Sequence, residues 1–394
     1  MTRKKVAIVT GANTGVGYSI VERLVDESNE PLIIVLACRN KQRAYEALAS
    51  LETHFNKLLH HQQQPTNTKE NHPVKKYHHP ELKVEIVDVS SVASVIEFNK
   101  RIREQYTTID LLFCNAGVLP SAGIRWSKLV TDLFIRPMDL VIRSDVLVQP
   151  KQHLTEDGIG NVLAANVFGH FLMIKGLEDQ LSKTEEDPGR VIWTSSMTAE
   201  KGSFDPSDWQ GLEAAAPYES SKWVTDLLAI RLNEVWASGT SLSRSESLAD
   251  IVEENGRTIT RRVTRSASRA ALDSTSSSKR HIMSISTQPG VVASGIGGLA
   301  HWIVMLRIAL HYFVRICGEK NQTITGYHAA LPNVYVALAP NPRTTLDYYN
   351  KYGSQIGRFG KEILKVETIV EYDRGQAEAV VDELEKLRAK VGKE

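Results

Sequence analysis

A tyrosine and a lysine four residues apart, preceded by a pair of serines, are the residues of this chain best suited to acid–base chemistry. Tyr218 and Lys222 open an amphipathic segment, and residues four apart share one face of a helix. A phenol has a pKa of about 10, and a nearby ammonium group lowers that value. Ser196 ends an apolar, strand-like run, where its hydroxyl is placed to hold a substrate oxygen. Together the three side chains predict proton transfer to a carbonyl oxygen.

A glycine-rich turn, T-G-A-N-T-G-V-G at positions 10–17, follows the first apolar run. Glycines let the backbone approach a pyrophosphate, and the N–H groups and dipole at a helix N-terminus stabilise its charge. The alternative is an ordinary strand–helix turn, just as Tyr-x-x-x-Lys alone is common on surface helices. Because all three motifs occur in this chain order, chance is a poor explanation. We predict dinucleotide contacts at Gly11, Thr14, Gly15, Val16 and Gly17.

The residue that ends the second apolar run selects between the two common dinucleotides. An acidic side chain there pairs with the ribose 2′-hydroxyl, whereas a basic one accommodates a 2′-phosphate. Arg39 stands at this point, and residues 32–41 contain no Asp or Glu. NADP(H) is therefore favoured over NAD(H), unless Arg39 only begins the next helix. Asp88, at the end of the third run, is placed either to contact the adenine or to cap a helix starting at Ser90 or Ser91.

Short apolar, β-branched runs alternate with amphipathic segments along the chain. The predicted strands are 5–10, 32–38, 83–88, 109–114, 190–195 and 281–287. This alternation predicts an α/β fold of the Rossmann type, with a doubly wound parallel sheet in a single domain over 1–394. Two polar stretches, 57–80 and 239–280, fall between elements of the sheet. We predict that both are solvated insertions and that 239–280 is disordered.

The composition excludes several classes of protein. With 42% hydrophobic and 24% charged residues, the chain is not disordered throughout. A formal charge of +1 gives no global attraction for nucleic acid. The three cysteines are widely spaced, and two of them lie in predicted strands, which favours buried thiols in a reducing compartment without a disulfide or a metal. The N-terminus enters a strand at once and leaves no room for a signal peptide, so we expect the active-site face to be cytosolic.

These motifs match the pattern of the short-chain dehydrogenase/reductase family. The match also includes Asn115-Ala116-Gly117, Asn166 and Pro289-Gly290. Within the family, the chain most resembles the fungal 3-keto-sterol reductases of ergosterol synthesis. That narrower resemblance rests on K-V-A-I-V-T-G near the start, an insertion at 120–157 with Trp126, N-V-F-G at 166–169, Y-E-S-S-K followed by Asp226-Leu227-Leu228, Gly326-Tyr327-His328-Ala329-Ala330, and Lys351-Tyr352-Gly353.

The resemblance implies roles that spacing alone does not assign. Asn166 would anchor a water in a proton relay with Lys222, and Asn115 would line the coenzyme site. Val292 and Ser294 would contact the nicotinamide end. The second serine of the pair, Ser196, is the one that the family uses.

The resemblance also implies a substrate, partners and a location. The implied reaction is NADPH-dependent reduction of the C3 ketone of 4-methyl sterols to the 3β-alcohol during sterol C4 demethylation. The implied partners are the C4-methyl oxidase, the C3-dehydrogenase/decarboxylase and a scaffold protein. The location would be the cytosolic face of the endoplasmic reticulum membrane, or the lipid-droplet surface.

Residues 296–317 form a strongly apolar segment that carries Arg307 near its centre. A membrane-spanning helix needs about twenty apolar residues with few charges, and a central Arg costs roughly 2.5–3.5 kcal/mol. We therefore predict an interfacial segment that covers a hydrophobic substrate pocket and dips into one leaflet. A buried cover helix or a dimer contact is the alternative.

Three hypotheses for the function follow. A sterol ketone reductase accounts for the catalytic residues, Arg39 and the apolar cover together. A reductase of another lipid-like carbonyl, such as a steroid or retinal, accounts for them almost as well. A non-catalytic NADP-binding scaffold is expected to lose Ser196, Tyr218 or Lys222, and all three are present.

Overall fold

A mostly parallel sheet forms the centre of the protein in the computed structural model, which describes residues 3–63, 78–135, 146–238, 279–292 and 301–391. Within these residues the sheet has eight strands in the order β8-β7-β6-β5-β4-β1-β2-β3, and only β8 is antiparallel to its neighbour. The predicted Rossmann-type fold is confirmed. The strands are β1 (Lys5–Thr10), β2 (Leu32–Cys38), β3 (Glu81–Ile86), β4 (Leu111–Cys114), β5 (Gly189–Thr194), β6 (Ile282–Gln288), β7 (Asn350–Ile356) and β8 (Glu362–Thr368).

Helices cover both faces of the sheet, so its central strands are apolar almost throughout. The longer helices are α1 (Gly15–Glu27), α2 (Lys41–Gln63), α3 (Val92–Gln105), α4 (Trp126–Ile135), α5 (Gly169–Leu181), α6 (Pro217–Ser238), α7 (His301–Ile316), α8 (Leu331–Leu338) and α9 (Arg374–Val391). Shorter turns are Asn161–Leu163, the π-helical Ala164–Phe168, the 3₁₀ turns Lys201–Ser203 and Pro206–Asp208, Gly326–Ala329 and Pro342–Thr345. Two small ladders pair Gly123–Ile124 with Leu147–Val148 and Val291–Val292 with Gln322–Ile324.

Two apolar clusters fill the space between the sheet and these helices. One joins α3, α5, α6 and α9 to one face, with Phe98, Phe171 and Leu228 fully buried. The other joins α1, α2 and α8 to the opposite face, with Ile20 and Leu51 fully buried. Packing of helices on both faces of the sheet fixes the carboxyl ends of the parallel strands, where the candidate site lies.

Several predicted boundaries are wrong by one or two residues. The third strand is Glu81–Ile86, not 83–88, because Asp88 forms a turn with Ser90. The fourth begins at Leu111, since Asp110 binds the side chains of Arg3 and Lys183 before the strand starts.

The strands β7 and β8 were not predicted, because their sequences mix Lys, Ser, Gln and Glu with apolar residues and show no apolar run.

The predicted insertions differ from the structure at their ends. The polar insertion 57–80 starts too early, because helix α2 continues to Gln63 and Leu58 packs against the core. Residues 64–77 of this insertion lie outside the described residues, as do 239–278 of the second one. The last residue of the second insertion, Arg280, is ordered: its backbone N–H donates to the Trp236 carbonyl at 3.3 Å and its guanidinium to Asp179 at 2.6 Å.

The apolar segment 296–317 contains helix α7, and its residues 296–300 lie outside the described residues. His311 and Val314 of this helix are buried, whereas Met305, Tyr312, Phe313 and Ile316 are exposed. Among the helices that the structure describes, none combines the length and the hydropathy that crossing a bilayer requires.

Candidate active site

The serine, tyrosine and lysine predicted to act together do meet at the carboxyl edge of the sheet. Ser196 is the second residue after β5, and Tyr218 and Lys222 lie in the first turns of helix α6. The Ser196 side chain lies next to the phenol of Tyr218 and acts to lower its pKa. Lys222 Nζ lies 5.6 Å from the centre of the Tyr218 ring and donates to the carbonyl oxygen of Thr194 at 2.8 Å. The arrangement places an acid, a hydroxyl and a cation around one point.

The prediction of a lowered pKa for the phenol of Tyr218 is wrong, because its pKa is raised. Burial raises the pKa of Tyr218 to about 12, the charge of Glu219 acts in the same direction, and the Ser196 side chain opposes them. The ammonium group lies over the ring, and burial lowers the pKa of Lys222 itself to about 8. Burial therefore favours the neutral form of both side chains, the phenol and the amine.

The two neighbouring serines face different partners. Ser195 is buried and its Oγ donates to the Lys222 carbonyl at 3.3 Å, so it ties the strand to helix α6. Ser196 Oγ is 2.9 Å from Thr198 Oγ1 and accepts from the Thr198 N–H at 3.1 Å, on the side of Tyr218. Of the two hydroxyls, that of Ser196 is the one within reach of a substrate oxygen bound by the phenol.

Asn166 lies in the π-helical turn Ala164–Phe168, and such turns are frequent at functional sites. Its Oδ1 accepts from the Val118 N–H at 2.7 Å, and its Nδ2 donates to Ser221 Oγ at 3.0 Å. A Cβ at Gly117 would come within 2.8 Å of Asn166 Oδ1 and 3.8 Å of Lys222 Nζ. The side chain therefore connects the turn after β4 to helix α6 beside Lys222, while its role in a relay stays a prediction.

Asn115 holds the glycine-rich turn in place. Its Nδ2 donates to the Thr10 carbonyl at 2.9 Å, and its N–H donates to Thr10 Oγ1 at 2.9 Å. A Cβ on Gly17 would lie 2.3 Å from the Gly11 carbonyl oxygen and 2.5 Å from Asn115 Nδ2. Only glycine fits at position 17, because strand β1, the turn and Asn115 are in direct contact there.

The glycine-rich turn has the features that a pyrophosphate requires. Gly11 and Gly15 have φ of +67° and +58°, in the left-handed region that favours glycine. Helix α1 begins at Gly15, and the preceding Thr14 makes no side-chain cap. A Cβ on Gly15 would meet nothing within 4 Å, so there is open space in front of the helix N-terminus. Its N–H groups and dipole thus face room for an anion.

Arg39 and Asp88 lie together beyond the ends of β2 and β3. The Arg39 side chain is 71% exposed, and its guanidinium is 3.8 Å from the Asp88 carboxylate. The suggestion that Asp88 caps helix α3 is wrong, because Ser91 is the N-cap and accepts from the Ser94 N–H. Asp88 Oδ1 accepts from the N–H and the hydroxyl of Ser90. The exposed guanidinium of Arg39 is accessible to a 2′-phosphate.

Of the two residues expected at the nicotinamide end, Val292 lies in the short strand Val291–Val292. Thr323 Oγ1 donates to the Val291 carbonyl at 2.9 Å and so holds this strand. Ser294 lies outside the described residues.

The sequence did not predict two further residues that contact the site, Gln149 and His170. Gln149 Oε1 accepts from the Tyr218 N–H at 2.9 Å, and its Nε2 donates to Glu219 at 2.8 Å. His170, fully buried, lies 3.0 Å from Thr10 Oγ1, and burial lowers its pKa to about 3. No spacing signals these contacts, because they join segments that are 69 and 160 residues apart.

A comparison with protein families agrees with this geometry. The family model described as short chain dehydrogenase matches residues 59–238. Over these residues the chain is similar to the short-chain dehydrogenases.

Similarity to individual proteins narrows the comparison. The chain is 33% identical over 231 residues to the human 3-keto-steroid reductase/17-beta-hydroxysteroid dehydrogenase 7, covering 58% of this chain and 61% of that protein, less than two thirds of its length. It is 28% identical to the 3-keto-steroid reductase erg27 of Aspergillus fumigatus, over 85% of this chain and 73% of that one. It is 26% identical to the 3-keto-steroid reductase of Saccharomyces cerevisiae, over 93% of this chain and 90% of that one.

Proposed function

We propose that this chain is an NADPH-dependent reductase that converts the C3 ketone of 4-methyl sterol intermediates to the 3β-alcohol during sterol C4 demethylation. The observation that carries the proposal is the meeting of Ser196, Tyr218 and Lys222 beside an uncapped helix N-terminus. The names of the human and fungal relatives support a ketone on a steroid skeleton.

The residues present fit NADP(H). Gly15 leaves open space at the start of helix α1, Gly17 allows the turn to pack closely, and Arg39 offers an exposed guanidinium for a 2′-phosphate. Bound NADPH would supply the hydride that the carbonyl carbon accepts. The chain itself then has to bind the substrate oxygen and deliver a proton to it.

Three side chains would perform that proton transfer. Ser196 donates a hydrogen bond to the ketone oxygen and orients it towards the phenol. Tyr218 gives its hydroxyl proton to this oxygen as negative charge develops there, which is general acid catalysis. The raised pKa of Tyr218 keeps its proton in place until a ketone arrives. Lys222, held by the Thr194 carbonyl, stabilises the phenolate that remains.

A second candidate is the reduction of another lipid-like carbonyl, such as a steroid or retinal. The second half of the human relative's name, a hydroxysteroid dehydrogenase, favours a steroid as the alternative. A scaffold that binds NADP(H) without turnover is disfavoured, because the three catalytic side chains are present and correctly placed.

The deciding experiment supplies the protein with NADPH and a panel of 4-methyl 3-keto sterols, steroid ketones, retinal and a long-chain ketone. Deuterium from labelled NADPH should appear at C3 of a 3β-alcohol, with the highest kcat/KM for the 4-methyl sterone. A higher kcat/KM for another ketone would assign the alternative substrate. NADPH binding without its oxidation by any of these substrates would favour the hypothesis of a non-catalytic scaffold.

We further propose that the enzyme works at the surface of the endoplasmic reticulum membrane or a lipid droplet, through helix α7. The exposed side chains of this helix include Met305, Phe313 and Ile316, which are 55–64% exposed. The hairpin between β7 and β8 adjoins the end of α7, because the Ile356 N–H donates to the Lys320 carbonyl at 2.7 Å. Its tip presents Phe359, which is 97% exposed.

Exposed cations lie in the segment after α7 and in the β7–β8 hairpin, at Lys320, Arg358 and Lys361. Each is worth about 1 kcal/mol near an anionic lipid surface. Exposed apolar side chains together with exposed cations support an interfacial position, and the other enzymes of sterol C4 demethylation are the partners expected there.

A further inference from the structure

A buried ion pair lies directly behind the candidate active site. Asp226 of helix α6 is fully buried, and its carboxylate binds the ammonium group of Lys351 in strand β7. The other carboxylate oxygen accepts from Ser286 Oγ at 2.6 Å. Lys351 Nζ also donates to the carbonyl oxygen of Ser196 at 3.1 Å. One member of the pair therefore touches the residue that would orient the substrate.

The pair is also next to Lys222. Asp226 follows Lys222 by one helical turn, so the two share a face of α6. Lys222 holds the Thr194 carbonyl at 2.8 Å, and Lys351 holds the Ser196 carbonyl. Two ammonium groups thus fix alternate carbonyls at the end of β5, with one carboxylate to balance them.

Stability alone does not explain such a pair. Burying two charges carries a large desolvation penalty, and replacing a buried pair by apolar residues is often neutral or stabilising. Asp226 and Lys351 act on Lys222 in opposite directions, since the carboxylate raises its pKa and the second ammonium lowers it. Cys114 of β4, His170 of α5 and the Tyr218 ring face Lys222 from the other sides.

We propose that Asp226 and Lys351 are positioning residues, Lys351 seating the backbone of Ser196 and Asp226 keeping Lys222 charged beside a second buried cation. This inference rests on the proposed function, because it assigns the pair to a reductase site. Neither side chain is required to touch the substrate.

The test measures two quantities between pH 6 and 10: the affinity for NADPH, from the fluorescence of the bound coenzyme, and kcat/KM for the ketone. A charged Lys222 is present below its pKa and lost above it, so both quantities should fall on the alkaline side. Asp226→Asn removes the counter-charge and should move this fall to lower pH by about one unit. Lys351→Met removes the like charge and should move it to higher pH.

The remaining variants separate positioning from folding. Combining Asp226→Asn with Lys351→Met should return the alkaline fall close to its original pH. Lys351→Met should raise the KM for the ketone, because the Ser196 carbonyl loses its ammonium donor. Lys351→Arg keeps a cationic donor and should restore the low KM. Asp110→Asn is the matched control, because Asp110 is also buried and bound by two cations, Arg3 and Lys183. It should lower the melting temperature without moving either pH profile.

Shifts in the same direction for both single variants, or none, would overturn the inference. If Asp226→Asn does not fold, the pH profiles of Lys351→Met test the inference, which requires that they shift to higher pH. A wild-type protein that binds NADPH but reduces no ketone would contradict the proposed function, while the pH profile of NADPH affinity would still test the pair.

Discussion

Lys222 reaches back across the end of strand β5 and donates from Nζ to the Thr194 carbonyl oxygen at 2.8 Å. This bond fixes the ammonium group before any ligand binds, because its acceptor belongs to the backbone of the central sheet. The phenol of Tyr218 is therefore set against a cation of fixed position. Preorganised charge of this kind is what stabilises a developing anion during catalysis.

Replacing Tyr218 with Phe should remove turnover and leave NADPH affinity nearly unchanged, because the change deletes the proton donor and little else. General acid catalysis is typically worth about 10²–10⁴-fold, so kcat should fall by that factor. Steady-state kinetics and coenzyme fluorescence measure the two effects. Tyr349→Phe, which removes a surface hydroxyl bonded to Glu234, is the control. Activity near the parent value for Tyr218→Phe would exclude it as the acid.

The two adjacent serines should respond differently to alanine. Ser196→Ala removes the hydroxyl that meets the phenol, and kcat should fall by about 10²-fold or more. Ser195→Ala removes one buried hydrogen bond to the Lys222 backbone and should cost about 1 kcal/mol of stability with most activity retained. Melting curves and kinetics on the purified pair decide. The opposite ranking would show that Ser195 orients the substrate.

Replacing Arg39 with Asp should weaken NADPH far more than NADH, since a charge-assisted contact to the 2′-phosphate becomes a repulsion. The NADPH/NADH ratio of kcat/KM should fall by about tenfold or more. Arg43→Asp, in the first turn of helix α2, controls for the general loss of positive charge. A ratio that moves equally in both variants would remove Arg39 from the coenzyme site.

Replacing residues 241–278 with a short Gly/Ser linker should leave folding and NADPH binding intact. The chain leaves helix α6 and re-enters close by, because the Arg280 N–H donates to the Trp236 carbonyl at 3.3 Å. A long loop adds little closure cost to folding, and removing it should change the stability by about 1 kcal/mol at most. Melting temperature and yield of soluble protein are the measurements. A large loss of either would show that the insertion packs against the fold.

Changing Met305, Phe313 and Ile316 together to Ser should release the protein from vesicles that contain anionic lipid. The change removes three of the exposed apolar side chains that the structure describes in helix α7, and the KM for a sterol ketone should rise while that for a water-soluble ketone stays constant. Ile96→Ser, an exposed position on helix α3, is the control in the same sedimentation assay. Unchanged binding would place the anchor elsewhere.

The sequence was most informative where local pattern and local structure coincide. Strands β1 and β2 have the predicted bounds, because each is a single apolar run with a paired strand on both sides. The positions of Ser196, Tyr218 and Lys222 follow from a strand end and a helix start, which periodicity locates well.

The parts that escaped prediction depend on contacts between distant segments. Strand β7 carries Lys351 towards a buried carboxylate, so its polar character reflects a partner 125 residues away. Gln149 reaches Tyr218 from the insertion at 120–157 in the same way. The pKa of Tyr218 likewise depends on how deeply the phenol is buried, which no spacing of residues reveals.

The strands at the two ends of the described sheet have similar sequences, E-L-K-V-E-I in β3 and E-I-L-K-V-E-T in β8. Each pairs a lysine with a glutamate along the same strand, Lys83 with Glu81 and Lys365 with Glu367. A strand from another molecule that docked on either edge would have to dehydrate these charges. The sheet therefore resists growth by addition of foreign strands, which protects the protein from aggregating through its backbone.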